Sequence, residues 1–122
     1  MVLDKKEIKS RYEISKPVYG DGYNISLKLG QDELLTSFVS KKEDLAARVD
    51  NIREFAGDEI NFHVIKMDEE EGFFFKLSKS DKLYRGDILA SSDIFDFRSE
   101  VESLIKRVMR ESQTVEVVDN PE

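Results

Sequence analysis

The chain has no cysteine, no tryptophan and a single histidine, His63, among 122 residues. Without thiols there is no disulfide framework, no thiolate nucleophile and no cysteine metal site. No apolar run approaches the roughly 18 residues that a membrane span needs. The amino terminus, Met1-Val2-Leu3-Asp4-Lys5-Lys6-Glu7, carries charge too early for a signal peptide, so the expected location is cytoplasmic. An excess of basic residues is missing as well. With 26 acidic residues against 19 basic ones the formal charge is −7, the wrong long-range sign for duplex nucleic acid or an anionic membrane surface. Neither is expected as a partner. What the chain does have is 39% hydrophobic residues, with eight Phe and four Tyr. A chain this size hides roughly two-thirds of its unfolded surface, which suffices for one compact domain with a real core.

The pattern along the chain is doubled. Tyr12-Glu13-Ile14 alternates like a half-buried strand, and Phe62-His63-Val64 does so again at an offset of 62 − 12 = 50. Leu27-Lys28-Leu29 matches Phe75-Lys76-Leu77 at 75 − 27 = 48, and Leu34-Leu35-Thr36-Ser37 matches Ile88-Leu89-Ala90-Ser91 at 88 − 34 = 54. These offsets imply a first turn, Tyr19-Gly20-Asp21-Gly22, two residues longer than its counterpart Asp68-Glu69-Glu70-Glu71-Gly72. They also imply a second turn that grows from Gly30-Gln31-Asp32-Glu33 to the long Ser78–Asp87 connection. Two units follow, 11–58 and 59–118, flanked by an extension over 1–10 and a tail over 119–122.

Each unit then changes to helical spacing. Ser40-Lys41-Lys42-Glu43 has the form of a capping box, Leu45, Val49, Ile52 and Ala56 make one stripe, and Gly57 is placed for a left-handed cap. In the second unit Asp96 is the expected N-cap and Phe97, Val101, Leu104, Ile105 and Val108 form the stripe. Thr114–Val118 reads as a last strand. The expected fold is therefore α+β: two β-β-β-α repeats in one antiparallel sheet, two helices on one face, an extra carboxyl-terminal strand and a pseudo-twofold relation.

The order of these pieces resembles the YegP-like family of uncharacterised proteins. The likeness rests on Arg11-Tyr12-Glu13-Ile14, Leu27-Lys28-Leu29, Leu35-Thr36-Ser37 and Ser40-Lys41, then Phe73-Phe74-Phe75-Lys76-Leu77, Ile88-Leu89-Ala90-Ser91 and Ser112-Gln113-Thr114-Val115. It implies tandem β-β-β-α units in a single sheet, with a terminal strand open to exchange between units and single-unit members assembling as dimers. It implies no activity. The chain departs from the family where a helix nears the sheet: Arg48 and Leu104 stand at positions expected to be Gly. An expected Asn-Gly hairpin is absent from both units.

No catalytic constellation emerges. His63 has the pKa range of a general base, yet no orienting partner accompanies it, and its place in a strand makes it a residue of the face opposite the helices. Asp68-Glu69-Glu70-Glu71 lacks the alternating ligand spacing of a calcium loop. Gly20-Asp21-Gly22 lacks a third glycine and leads into a strand, whereas a dinucleotide fingerprint opens a helix. Lys41, Lys42, Arg48 and Arg53 are interleaved with Glu43, Asp44, Asp50 and Glu54, which reads as a mixed solvated face. Thr36, Ser37, Ser91 and Ser92 have no His beside them in the pattern. No catalytic residue, metal ligand or cofactor is expected, and the chain reads as a non-enzyme.

One face is less bland. The outward residues of the first unit, Glu13, Asn24, Ser26 and Lys28, are polar, whereas the equivalent face of the second includes Ile65 and Phe74. The Phe73-Phe74-Phe75 run puts apolar groups on both faces, which a sheet with one wet face does not need. Such a patch marks an interface, unless Val2, Leu3 and Ile8 fold over it. The leading expectation is a small protein-interaction module that binds a protein partner or itself through Ile65 and Phe74, with His63 beside them. The alternative is a small-molecule binder or modest enzyme with a pocket near His63 and the hairpin of Tyr84, Arg85 and Asp87. In that reading Arg85 holds an anionic ligand by paired hydrogen bonds.

Overall fold

The computed structural model describes residues 9–69 and 71–119. Alternating burial along Ser10–Ser15 makes strand β1, and the chain continues through β2 (Tyr23–Leu29), β3 (Asp32–Val39) and helix α1 (Leu45–Phe55). Then come β4 (Phe62–Lys66), β5 (Phe73–Ser78), β6 (Ile88–Ser91), helix α2 (Arg98–Glu111) and β7 (Val117–Asp119). The amino-terminal cover proposed from Val2, Leu3 and Ile8, and the tail beyond Asp119, lie outside the described residues. So does Glu70 in the acidic turn.

The seven strands form one sheet in the order β4-β5-β6-β3-β2-β1-β7. Hairpin neighbours are antiparallel, as expected, but β7 runs parallel to β1 with Tyr12 opposite Val117. The sheet is therefore mixed. Helix α2 carries the chain from the middle of the sheet to its far edge, and hairpin logic does not set the direction of such a crossover. Between β2 and β3 the turn is only Gly30-Gln31, and Gly30 takes φ +64, a left-handed conformation that glycine adopts without strain.

The ladders correct the offsets read from residue type. Tyr12 faces Leu27 and Ser15 faces Asn24, while Phe62 faces Leu77 and Ile65 faces Phe74, so 62 − 12 = 77 − 27 = 50 throughout. The two first turns are of equal length. Matching Leu27-Lys28-Leu29 to Phe75-Lys76-Leu77 slides a strand by two residues, a shift that keeps every side chain on its face and so leaves no trace in the alternation. The next step differs because of two bulges. Register shifts after Leu27 and after Leu77 leave Leu34 and Leu89 as extra residues, at 89 − 34 = 55, and both are buried.

One core lies between the sheet and the helices. Tyr12, Ile25, Leu27, Leu35, Phe75 and Leu77 meet Leu45, Val49, Ile52 and Ala56 of the α1 stripe and Val101, Leu104, Ile105 and Val108 of the α2 stripe. Phe62 meets Phe75 edge to face, with ring centroids 5.1 Å apart. Phe97 does not join the stripe. It is 66% exposed and is itself the N-cap of α2, its amide donating to Glu100 Oε1 at 3.1 Å. Asp96 is thus not the cap.

Ser40 does not cap α1 either. A 3-10 turn over Lys42–Asp44 intervenes, closed by the Asp44 amide on the Lys41 carbonyl, and the helix opens with no side-chain cap. Nor does Gly57 take a left-handed conformation, since α1 ends through right-handed Ala56. The last strand starts later than expected because the Thr114 amide still donates to the Glu111 carbonyl at 3.2 Å in the turn that follows α2, while its hydroxyl donates to the Ser10 carbonyl of β1 at 2.8 Å.

Candidate functional site

The register aligns a row of side chains across six strands: His63, Lys76, Ser91, Thr36, Ser26 and Glu13. Their strand neighbours fill the core, so this row lies on the face away from both helices. Toward β1 its polar groups are consumed locally. Glu13 accepts from Arg11 at 2.7 Å and from Lys28 at 3.2 Å, and the Ser26 hydroxyl donates to Glu33 at 2.7 Å. Burial raises the Glu13 pKa, but the hydrogen bonds and charges of Arg11 and Lys28 outweigh it and hold the carboxyl below its usual range.

Toward β4 the face changes character. Ile65 and Phe74 stand directly opposite one another, both partly exposed, which is where the alternation puts them. The Lys76 ammonium rests 6.0 Å from the Phe74 ring centroid and has no carboxylate partner among the described residues. His63 Nε2 lies 3.1 Å from the Ser80 carbonyl oxygen. That contact ties the long connection to β4 and gives the imidazole a backbone partner, not a carboxylate.

Tyr84, Arg85 and Asp87 lie in the same connection. A 3-10 turn over Arg85–Asp87 is closed by the Asp87 amide on the Tyr84 carbonyl at 2.9 Å, and the Lys79 amide donates to the Asp87 carbonyl at 3.0 Å. Tyr84 and Arg85 are exposed. His63 thus touches this segment at Ser80, and no hydrogen bond among the described residues brings it to Tyr84, Arg85 or Asp87. Among the described residues no three of His, Asp and Glu converge to hold a metal ion.

A cluster at the centre of the sheet escaped the sequence reading. Strands β3 and β6 share one ladder pair, Thr36 with Ser91. Beside it, side chains do the joining. The Ser37 hydroxyl donates to the Leu89 carbonyl, and Arg48 Nη1 donates to Ser37 Oγ at 2.8 Å and to the Phe38 and Leu89 carbonyls at 3.2 Å. The signal for this cluster was Arg48 itself, a cation beside the apolar stripe of α1 at a position where the family resemblance implies Gly.

No family model matches the chain, and no curated protein does. Two solved structures share its fold. The solution structure of the protein of unknown function YegP from E. coli is 22% identical, with a TM-score of 0.79 over 93% of this chain and 95% of that one. A UPF0339 protein from Shewanella oneidensis is 21% identical, with a TM-score of 0.76 over 92% of each chain. These likenesses support the YegP-like resemblance and show the fold.

Proposed function

We propose that the chain is a non-enzymatic, cytoplasmic interaction module that presents the outer face of its sheet to a protein partner or to a second copy. The observation that carries this reading is the pairing of Ile65 with Phe74 on a face that neither helix covers. Apolar side chains so placed gain free energy when a partner removes them from water. Lys76 beside them, in no ion pair among the described residues, favours a partner that brings a carboxylate to the rim. The segments 11–58 and 59–118 are two units of one domain in this reading, supported by the constant shift of 50 between the β1–β2 and β4–β5 ladders.

The test compares wild type with the Ile65→Asp/Phe74→Asp double variant, both shown to be folded by circular dichroism. Sedimentation velocity reads self-association, and capture from native lysate reads a partner. An association made by wild type and lost by the folded variant is the expected result; equal behaviour of the two proteins sinks the reading. A ligand pocket near His63 is the second reading, favoured by the contact of His63 with Ser80 in the connection that carries Tyr84, Arg85 and Asp87. In that case a metabolite screen raises the thermal midpoint, and Arg85→Met removes the rise.

A further inference from the structure

The seam between β3 and β6 opens into a groove of about 350 Å³. Its size falls within the range of small-molecule pockets, which run from about 300 Å³ upward. Its lining is unusual for this chain. Acidic residues outnumber basic ones 26 to 19 overall, yet among the described residues no carboxylate lines the groove, and two cations do, Arg48 and Lys76. Asp44 lines a neighbouring depression on the other side of Arg48 and not this one.

Neither cation is in an ion pair among the described residues. Arg48 spends only Nη1 on the protein, on Ser37, Phe38 and Leu89, and its Nε and Nη2 have no partner there. These three bonds hold the guanidinium at the seam against carbonyls of both β3 and β6, so that Arg48 borders the groove from the α1 side while Lys76, Thr36 and Ser91 border it from the outer face. Lys76 is the flexible arm, since its contact with Phe74 at 6.0 Å is at the outer limit of a cation–π interaction. Thr36 and Ser91 add hydroxyl donors at the floor, while Phe38, 48% exposed, and Ile88 supply an apolar wall.

We infer that this groove binds a small organic anion. A phosphate or carboxylate head sits between Arg48 and Lys76, with the Thr36 and Ser91 hydroxyls donating to it, and an apolar or aromatic body lies against Phe38 and Ile88. Charge-assisted bonds to a planar guanidinium give the head its affinity and orientation. Such a ligand spans the two halves of the sheet, because Thr36 and Phe38 belong to β3 whereas Lys76 and Ser91 belong to β5 and β6. Its binding therefore opposes separation of the halves. This site goes beyond the interaction surface at Ile65 and Phe74 and stands or falls without it.

The probes are phenyl phosphate and benzoate, with phenol and inorganic phosphate as controls, titrated into isotope-labelled protein and followed by amide chemical shifts. The expected result is saturable movement of Ser37, Phe38 and Ser91 at millimolar concentration or below with at least one aromatic anion. Inorganic phosphate binds more weakly and phenol not at all. Lys76→Met weakens binding about tenfold, as loss of one charge-assisted contact implies. Arg48→Met abolishes it in the folded protein; because Arg48 also holds Ser37 and Leu89, Lys76→Met decides the matter if Arg48→Met unfolds. Saturation by neither anion, shifts spread over the surface lysines, or wild-type affinity in Lys76→Met overturns the inference.

Discussion

The Tyr12 hydroxyl donates a 2.7 Å hydrogen bond to the Ser112 carbonyl, closing a loop of 100 residues between the first strand and the end of the last helix. Both residues are fully buried. Arg53 of α1 stacks over the same ring at 5.3 Å and donates Nε to the Thr114 carbonyl at 2.9 Å, so strand, both helices and the approach to β7 meet here. Tyr12→Phe keeps the ring and strands the carbonyl. It should destabilise the fold by about 1–3 kcal/mol, the cost of a buried unsatisfied acceptor. Urea denaturation should show a lower midpoint with an unchanged slope. An unmoved midpoint would mean that the bond contributes nothing net.

The same hydroxyl makes alkaline stability informative. Burial pushes the Tyr12 phenol well above its ordinary value, and the charge of Arg53 offsets only part of that rise. In the unfolded chain the phenol ionises near pH 10, while the native state keeps its proton. The contribution is therefore whole below about pH 10 and is lost as the pH climbs toward the native value. Wild type should lose stability over that range more steeply than Tyr12→Phe. Parallel curves would contradict the assignment.

Glu13 predicts the opposite limb. Its carboxyl is held below its usual range, so its contribution is present above the unfolded pKa, about 4.3, and is lost as the pH falls through the native value. Glu13→Gln should lower stability at neutral pH by up to about 1 kcal/mol, with a smaller effect in high salt. It should also flatten the acid limb of the stability curve. Thermal melts of the two proteins from neutral pH down to about pH 3 would read both effects.

Alternation made the strands legible, along with the faces of His63, Ile65 and Phe74, because a half-buried strand writes its two sides into successive residues. Spacing did the same for Val49 and Ile52 or Leu104 and Val108, which lie on one side of a helix. Register was not legible. A slip of two residues between Leu27 and Phe75 preserves both faces, so only the ladders reveal that Leu77 is the true counterpart. The anion groove was hidden for a related reason. Arg48, Thr36 and Ser91 come together only because β3 and β6, ends of different hairpins, lie side by side in the middle of the sheet. Nothing local to any of the three records that adjacency.

Helix starts show how a local motif is overruled by the path of the chain, and they can be tested together. Ser40-Lys41-Lys42-Glu43 fits a capping box, yet the chain leaves β3 through a 3-10 turn, and no side chain caps the helix that follows. Ser40→Ala and Asp96→Ala should therefore each change stability by less than about 0.5 kcal/mol, as unremarkable surface substitutions do. Glu100 is different. Its carboxylate accepts the Phe97 amide at 3.1 Å and sits in the first turn of α2, where negative charge also meets the positive end of the helix dipole. Glu100→Ala should cost roughly 0.5–2 kcal/mol and Glu100→Gln less, since the amide oxygen still accepts the bond while the charge is gone. Thermal denaturation of the four variants ranks them directly, and a loss in Asp96→Ala as large as in Glu100→Ala would return the cap to Asp96.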